Sequence, residues 1–445
     1  MGRGAPLSVP GIPGRADTIP YSGCARYLPS LIANRYEIRS DHEKGNSLAV
    51  PEKTNFLFSR EFITLNAVTF LTYCNIAVFF QFHEYLGTLP IARDRFGLLI
   101  SLFALSAVIV RPLVSPFLNP SNSARWIGIS SVLVIISLWL YPLAHDFFTM
   151  ACIRLFHGAV HTILAVAVLS LMVGFIPRER SGQAFGLIFV VVLLPYAVVP
   201  PILEPLNREL GGFGHVLEFS AACMALVFPL LWLGNRKNPN TASPVPETIS
   251  IRETLHNLKD FRILIVFVIA VLVWTAFTPV FFFLKGFGEK LGIDNPGWFF
   301  TLSTLTEILV RVTAGSFFDK FNKAKLLVGS LIWTGLGYVF LSQISGPWGL
   351  YALGLALGIG WGIAMPLLSS LTFDYSRPRF RAVNSNLTMQ MFQLGFFLGP
   401  ALGDAILVHW GYETLYLMCA GVMVVGTVAG FALIWLPKQA VSANR

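Results

Sequence analysis

The stretch Val310-Arg311-Val312-Thr313-Ala314-Gly315-Ser316-Phe317-Phe318-Asp319-Lys320-Phe321-Asn322-Lys323-Ala324-Lys325 echoes Val110-Arg111-Pro112-Leu113-Val114-Ser115-Pro116-Phe117-Leu118-Asn119-Pro120-Ser121-Asn122-Ser123-Ala124-Arg125, two hundred positions earlier. Val110-Arg111, Ser115, Asn119 and Arg125 fall opposite Val310-Arg311, Gly315, Asp319 and Lys325. Gly97 and Gly297 keep the same offset, as do Glu204 and Asp404, and Arg178/Arg180 precede Arg379/Arg381 by one position more. One such match arises by chance. A run of them at one spacing marks two homologous halves.

Composition places both halves in lipid. The chain has 445 residues, 55% hydrophobic and only 12% charged, with a mean hydropathy of +0.66, more apolar surface than a water-soluble domain can hide. Apolar runs of about 20 residues, long enough to cross a ~30 Å hydrocarbon layer, are read near 62–83, 96–118, 126–144, 148–172, 184–205, 215–234, 262–284, 298–317, 326–343, 348–372, 382–407 and 413–436. The expected fold is therefore an all-α integral membrane protein, twelve transmembrane helices in two pseudo-symmetric six-helix bundles. The expected segments are an N-terminal tail over 1–61, a first bundle over 62–234, a linker over 235–261, a second bundle over 262–437 and a tail over 438–445. Parallel halves in so apolar a chain are the plan of a secondary transporter.

The net charge of +9 is an orientation signal and no sign of nucleic-acid binding, because no basic soluble domain carries it. Arg125, Arg178, Arg180, Arg236, Lys237, Arg252, Lys259, Arg262, Lys320, Lys323, Lys325, Arg377, Arg379 and Arg381 fall in alternate connections, whereas the others hold Arg93, Arg95, Arg208, Lys285 and Lys290. By the positive-inside rule both termini face the cytoplasm. The five cysteines are scattered, with no CxxC pair, and read as packing residues. The first sixty or so residues are polar, contain Pro6, Pro10 and Pro13, and show no apolar period, so they are expected to be disordered.

Gly315, Asp319, Lys320 and Lys323 resemble the loop motif of the major facilitator superfamily, with Asn322 where the family has a second glycine. Arg154-Leu155-Phe156-His157-Gly158 resembles its span-4 motif, with His157 where glutamine is usual. The resemblance covers roughly residues 60–437. It implies alternating access between two bundles, a span 4 that helps line the central cavity, and loop motifs that latch the cytoplasmic side. The first-half loop departs from the pattern, with Ser115 for glycine and Asn119 for the acid, which puts its latch in question.

Several residues are candidates on chemistry alone. Glu307, mid-span, reads either as a proton-coupling carboxylate or as half of a static ion pair with Arg311, which i,i+4 spacing puts on the same helix face. Arg154, His157 and His161 recur at helical spacing as a polar stripe, suited to an anionic group or to proton transfer, or simply to interhelical hydrogen bonds. Trp274 and Trp361 lie deep enough to line a cavity or to pack between helices. Arg111, Asn119, Arg311, Gly315, Asp319 and Lys323 are candidate gating residues at one end, where the arginines also read as structural anchors, and Glu204 and Asp404 are candidates at the other, either as gates or as residues that mark the interface. No metal site is expected, since no acid or cysteine is in register with the histidine pair, and no cofactor; ATP is not expected to drive the chain directly, since there is no G-x-x-x-x-G-K-[ST] loop.

The leading function is proton-coupled secondary transport of a small solute, in a bacterial inner membrane or one derived from it, with the substrate, protons and the bilayer as partners. A uniporter with structural charges and a non-transporting membrane sensor or assembly protein are the alternatives. No nucleophile, base and orienting group assemble from the motifs, so enzyme activity is not expected.

Overall fold

The computed structural model describes residues 58–176, 180–234, 260–318 and 321–435, with Glu253 and Asn257. The tail before residue 58, most of the linker, Arg178, Asp319, Lys320 and residues 436–445 lie outside the described residues, together with the expectations attached to them. Among the described residues all regular structure is helical.

The first half runs through α1 (Arg60–Gly87), α2 (Arg93–Val114), α3 (Pro120–Leu143), α4 (Phe147–Val173), α5 (Ser181–Leu210) and α6 (Phe213–Gly234). The second runs through α7 (Phe261–Lys290), α8 (Trp298–Phe318), α9 (Lys323–Leu341) and α10 (Pro347–Tyr375). A continuous helical stretch, Arg381–Trp435, follows, broken at Gly411 (φ 78°, ψ −178°). Residues 381–410 are α11 and residues 412–435 are α12. Gly211 turns α5 into α6 with φ 80°, two hundred positions before Gly411. Both have the positive φ that glycine adopts readily, but ψ differs, 25° at Gly211 and −178° at Gly411, so the repeat keeps a glycine turn here without keeping one backbone conformation.

Short polar residues start the helices by accepting from free N–H groups. Asn119 Oδ1 accepts from the backbone of Ser121 and Asn122 at 3.1 and 3.2 Å, and Asn122 returns the bond to the Asn119 N–H at 3.0 Å. Asn322 Oδ1 opens α9 in the same way, accepting from Ala324 and Lys325. Asp146 caps α4, outside the spans. The Thr149 hydroxyl, 2.6 Å away, and the backbone N–H groups of Thr149 and Phe148 hold its carboxyl below the ordinary carboxylate range.

Glycine sets how closely the helices approach. A methyl group on Gly158 of α4 would overlap the Phe103 carbonyl of α2, and one on Gly358 of α10 would overlap the Ser303 carbonyl of α8. These are one contact written twice, each residue two hundred positions from its counterpart, and small residues at such crossings are how helices pack in lipid. Gly128 and Gly329 face open space. Gly158→Val and Gly358→Val are each expected to destabilise the fold by about 1–3 kcal/mol through overpacking, read as a lower thermal midpoint in detergent. Gly128→Ala should leave the midpoint unchanged or raise it.

Large apolar side chains also cover the outside. Phe117, Phe148, Trp232, Val312, Trp348 and Trp435 are exposed, which suits hydrocarbon and its interfaces rather than water.

Two seams join the halves, α2 against α11 and α5 against α8. The prolines of α5 explain one of them. Proline has no N–H, so the carbonyl four residues before it is left without its helical donor. Pro201 leaves the Ala197 carbonyl free, and Thr301 Oγ1 of α8 donates to it at 2.6 Å. Pro205 leaves the Pro201 carbonyl free, and Asn295 Nδ2 donates to it at 2.7 Å. Helix breakers within α5 thus supply acceptors across the interface.

Candidate functional site

The seam ends away from the termini are closed by two acids. Asp404 of α11, 1% exposed, accepts from Arg93 Nη1 at 2.8 Å and from the Gly97 N–H at 2.7 Å, with His83 Nε2 at 3.4 Å. Glu204 of α5 accepts from Lys285 Nζ of α7 at 2.5 Å and from Gln81 Nε2 at 3.2 Å. Each acid takes a base from the opposite half. Glycine permits the approach, since a methyl on Gly97 would overlap Asp404 and the Pro400 carbonyl, and one on Gly297 would lie about 2.5 Å from the Pro200 backbone. Gly97 and Gly297 thus approach Pro400 and Pro200 alike, but the acids differ: Asp404 accepts from the Gly97 N–H, whereas the Gly297 N–H donates to Asn295 Oδ1. Arg93 and Lys285, which read in the sequence as charges marking the loops, are their counter-ions. The signal that finds them is the pseudo-symmetry of the two acids, each of which needs a cation when buried.

Between the halves lies a small apolar cavity of about 20 Å³, room for one water. Phe79, Phe103, Phe282 and Phe396 line it with Ile100, and Arg154 forms its polar wall. Arg154 is 2% exposed. Its Nε donates to the Leu99 carbonyl at 3.1 Å, Nη2 to the Ile100 carbonyl at 2.7 Å and Nη1 to the Tyr141 hydroxyl at 3.3 Å. The rings of Phe79, Phe82 and Phe103 lie 5.0, 4.7 and 5.1 Å from the guanidinium carbon, where cation–π attraction offsets part of its lost hydration.

The histidines of the polar stripe have different surroundings. His157 is enclosed within the first bundle, with Asn75 Nδ2 3.1 Å from Nε2 and the Tyr141 hydroxyl 3.0 Å from Nδ1, so both ring nitrogens are engaged. His161, one turn on, packs by Phe103 and Tyr73, and its buried Nδ1 has no partner among the described residues. Asn75 and Tyr73 escaped sequence reading because they come from α1, distant in the chain, and Tyr141 because it lies across the turn between α3 and α4, where no helical spacing links it to His157.

In the second half Glu307 is 6% exposed and ion-paired with Arg311 Nη2. Tyr196 of α5 lies within electrostatic reach of both Glu307 and Tyr73, which places Glu307 beside the seam. Trp274 stacks on Phe277, Phe392 and Phe396, with its Nε1 unpartnered among the described residues. Trp361 is packed inside the second bundle, donating Nε1 to the Tyr338 hydroxyl at 3.2 Å.

At the end nearer the termini, Arg111 is half-buried with an unpartnered Nε, near Tyr73 and His161. Lys323 ties α9 to α10, donating to Ser370 Oγ at 2.7 Å and Asp374 Oδ2 at 2.8 Å. Asn119 serves as the cap of α3, and Gly315 falls in the last turn of α8. Among the described residues no three His, Cys, Asp or Glu side chains gather as metal ligands.

The sequence profile of the Major Facilitator Superfamily matches residues 62–296 and 266–445. The chain is similar to the multidrug resistance protein MdtG of Salmonella schwarzengrund, 24% identical over 301 residues, 63% of this chain and 74% of the relative, and to that of Salmonella typhimurium, at 23% with the same coverage. Among solved structures it resembles the nucleoside transporter NupG (TM-score 0.70, 16% identity, 85% of this chain and 100% of that one). It also resembles a bacterial homologue of the human lysosomal transporter Spinster in an inward-facing, unoccupied conformation (TM-score 0.69, 13% identity, 86% and 97%). With the family profile spanning both repeats and the fold matching solved transporters, the chain belongs to the Major Facilitator Superfamily, an integral membrane secondary transporter and not an enzyme.

Proposed function

We propose that the protein moves a small organic solute by proton-coupled alternating access, with Glu307 as the coupling carboxylate. The carrying observation is Glu307 itself, the one mid-span carboxylate among the described residues, buried beside the seam and paired with Arg311. A buried carboxylate holds a proton or a cation strongly, but not both at once. Protonation would loosen Arg311 and proton release would restore the pair, a two-state element that both the proton and the solute can bias. The cavity walled by Arg154 and the phenylalanines is the solute site, and opening is a rocking of the two seams.

By the positive-inside rule the termini are cytoplasmic, so the Asp404 and Glu204 closures face outward and this conformation is shut on that side. The Salmonella relatives favour a bacterial inner membrane. Their name, with that of the nucleoside transporter, favours an organic solute.

The test is flux into proteoliposomes under an imposed pH difference, with a panel of nucleosides, organic acids, sugars and lipophilic cations. Saturable flux that follows the gradient supports coupling. Saturable flux indifferent to the gradient replaces it with facilitated diffusion.

A further inference from the structure

The two halves treat equivalent arginines differently. Arg311 has Glu307 four residues before it, whereas Arg111, its counterpart, has Ala107. Arg111 accordingly makes no ion pair among the described residues, and its Nε is buried and unpartnered. Arg154, whose counterpart is Gly354, is surrounded by two carbonyls, a phenol and three aromatic rings, all neutral. Among the described residues no carboxylate is paired with either of these first-half guanidinium groups, while Glu307 of the second half is committed to Arg311.

An uncompensated charge at this depth is costly unless a partner arrives. His161 of α4 is 5% exposed, lies near Arg111, and its buried Nδ1 has no partner among the described residues. The surrounding surface is aromatic: Phe79, Phe103, Phe282 and Phe396 at the cavity, with Trp274 stacked on Phe396. These groups suit a solute with a negative head and a flat apolar body.

We infer that the transported solute is an organic anion, its carboxylate, sulfonate or phosphate held at Arg154 and its ring body by the phenylalanines, with Arg111, about 16 Å further along α2, adding positive charge on the way to the cavity. The inference rests on the central cavity being the solute site. It separates this chain from carriers of lipophilic cations, which need an uncommitted acid where the lining of this cavity has none among the described residues.

Charge is tested at constant shape. Indole-3-acetate, indole-3-acetamide and tryptamine share one ring system, as do benzoate, benzamide and benzylamine, and each series spans negative, neutral and positive. Binding to the purified full chain in detergent is read by tryptophan fluorescence and thermal shift, without any gradient. The anion is expected to bind roughly tenfold or more tighter than its neutral partner, the size of a charge-assisted hydrogen bond. Arg111→Gln should weaken that preference and Arg111→Lys should restore it. Arg154→Lys is the safer variant at the second position, because Arg154→Gln also strips two bonds to α2 and one to Tyr141 of α3. No separation by charge in either series, or a preference for the amines, overturns the inference. Anion selectivity without gradient-driven flux would fault proton coupling alone, whereas gradient-driven flux of an amine would fault the anion alone.

Discussion

Glu307→Gln is expected to abolish the response of solute flux to an imposed pH difference while leaving the folded transporter in the membrane. Glutamine keeps the size and can still accept from Arg311, but it cannot take up or release a proton. Gradient-driven accumulation should fall by about two orders of magnitude, the range over which removal of an essential proton-transfer group acts. Exchange of labelled for unlabelled solute at equal pH should persist, because it needs the cavity and the seams but no net proton movement. Counterflow in proteoliposomes measures the second quantity and pH-jump uptake the first. Equal loss of both would make the Glu307–Arg311 pair a structural tie rather than a coupling device.

Asp404→Ala is expected to have the largest effect on conformation. Asp404 holds Arg93 and the Gly97 N–H of α2 and lies against His83 of α1. Asp404 is buried but Arg93 is 43% exposed, so removing Asp404 costs less than the loss of about 3–5 kcal/mol seen on breaking a fully buried pair, and the balance between closed and open outer ends is expected to shift by about tenfold. Ser101, fully buried on α2 one turn beyond Gly97, reports the change. In a cysteine-free background, Ser101→Cys should react slowly with an impermeant maleimide and much faster when Asp404 is alanine. An unchanged rate would mean that the helix contacts around Gly97 and Gly297 close the outer end without the acids.

Much of the fold was legible because membrane spans announce themselves through length and hydropathy. The errors fall where charges end an apolar window before the helix ends. The sequence places α7 over 262–284, but the helix continues through Lys285 and Glu289 to Lys290, since Lys285 is neutralised by Glu204 and Glu289 and so need not leave the helix for water. The α-helix of α2 starts at Phe96, where the sequence places it, after a 3₁₀ turn over Arg93–Arg95 whose Arg93 is held by Asp404.

The site was legible where its geometry is local. Glu307 and Arg311 are four residues apart on one helix, and helical spacing alone brings them together. Arg154 and His157 were identifiable as unusual, but their surroundings were not, because Leu99, Ile100, Tyr141 and Asn75 come from three other helices. Nor could hydropathy separate Trp274, stacked beside the cavity, from Trp361, tied to Tyr338 inside its bundle. The repeat offset was the strongest non-local signal. It joined Gly97 to Gly297 and Glu204 to Asp404 before any coordinate did, and Gly158/Gly358 and Gly211/Gly411 follow the same rule.

Alternating access itself is tested by the distance between spin labels at Glu209, at the outer end of α5, and Asp294, in the turn leading into α8. Both are exposed, and they lie on opposite halves of the protein. In lipid, two distance populations are expected, a short one matching the closed seam and a longer one, with their ratio changing with pH and with transported solute. In Glu307→Gln the ratio should respond to solute but not to pH. A single distance that neither pH nor solute alters would contradict the rocking of two halves about a central site.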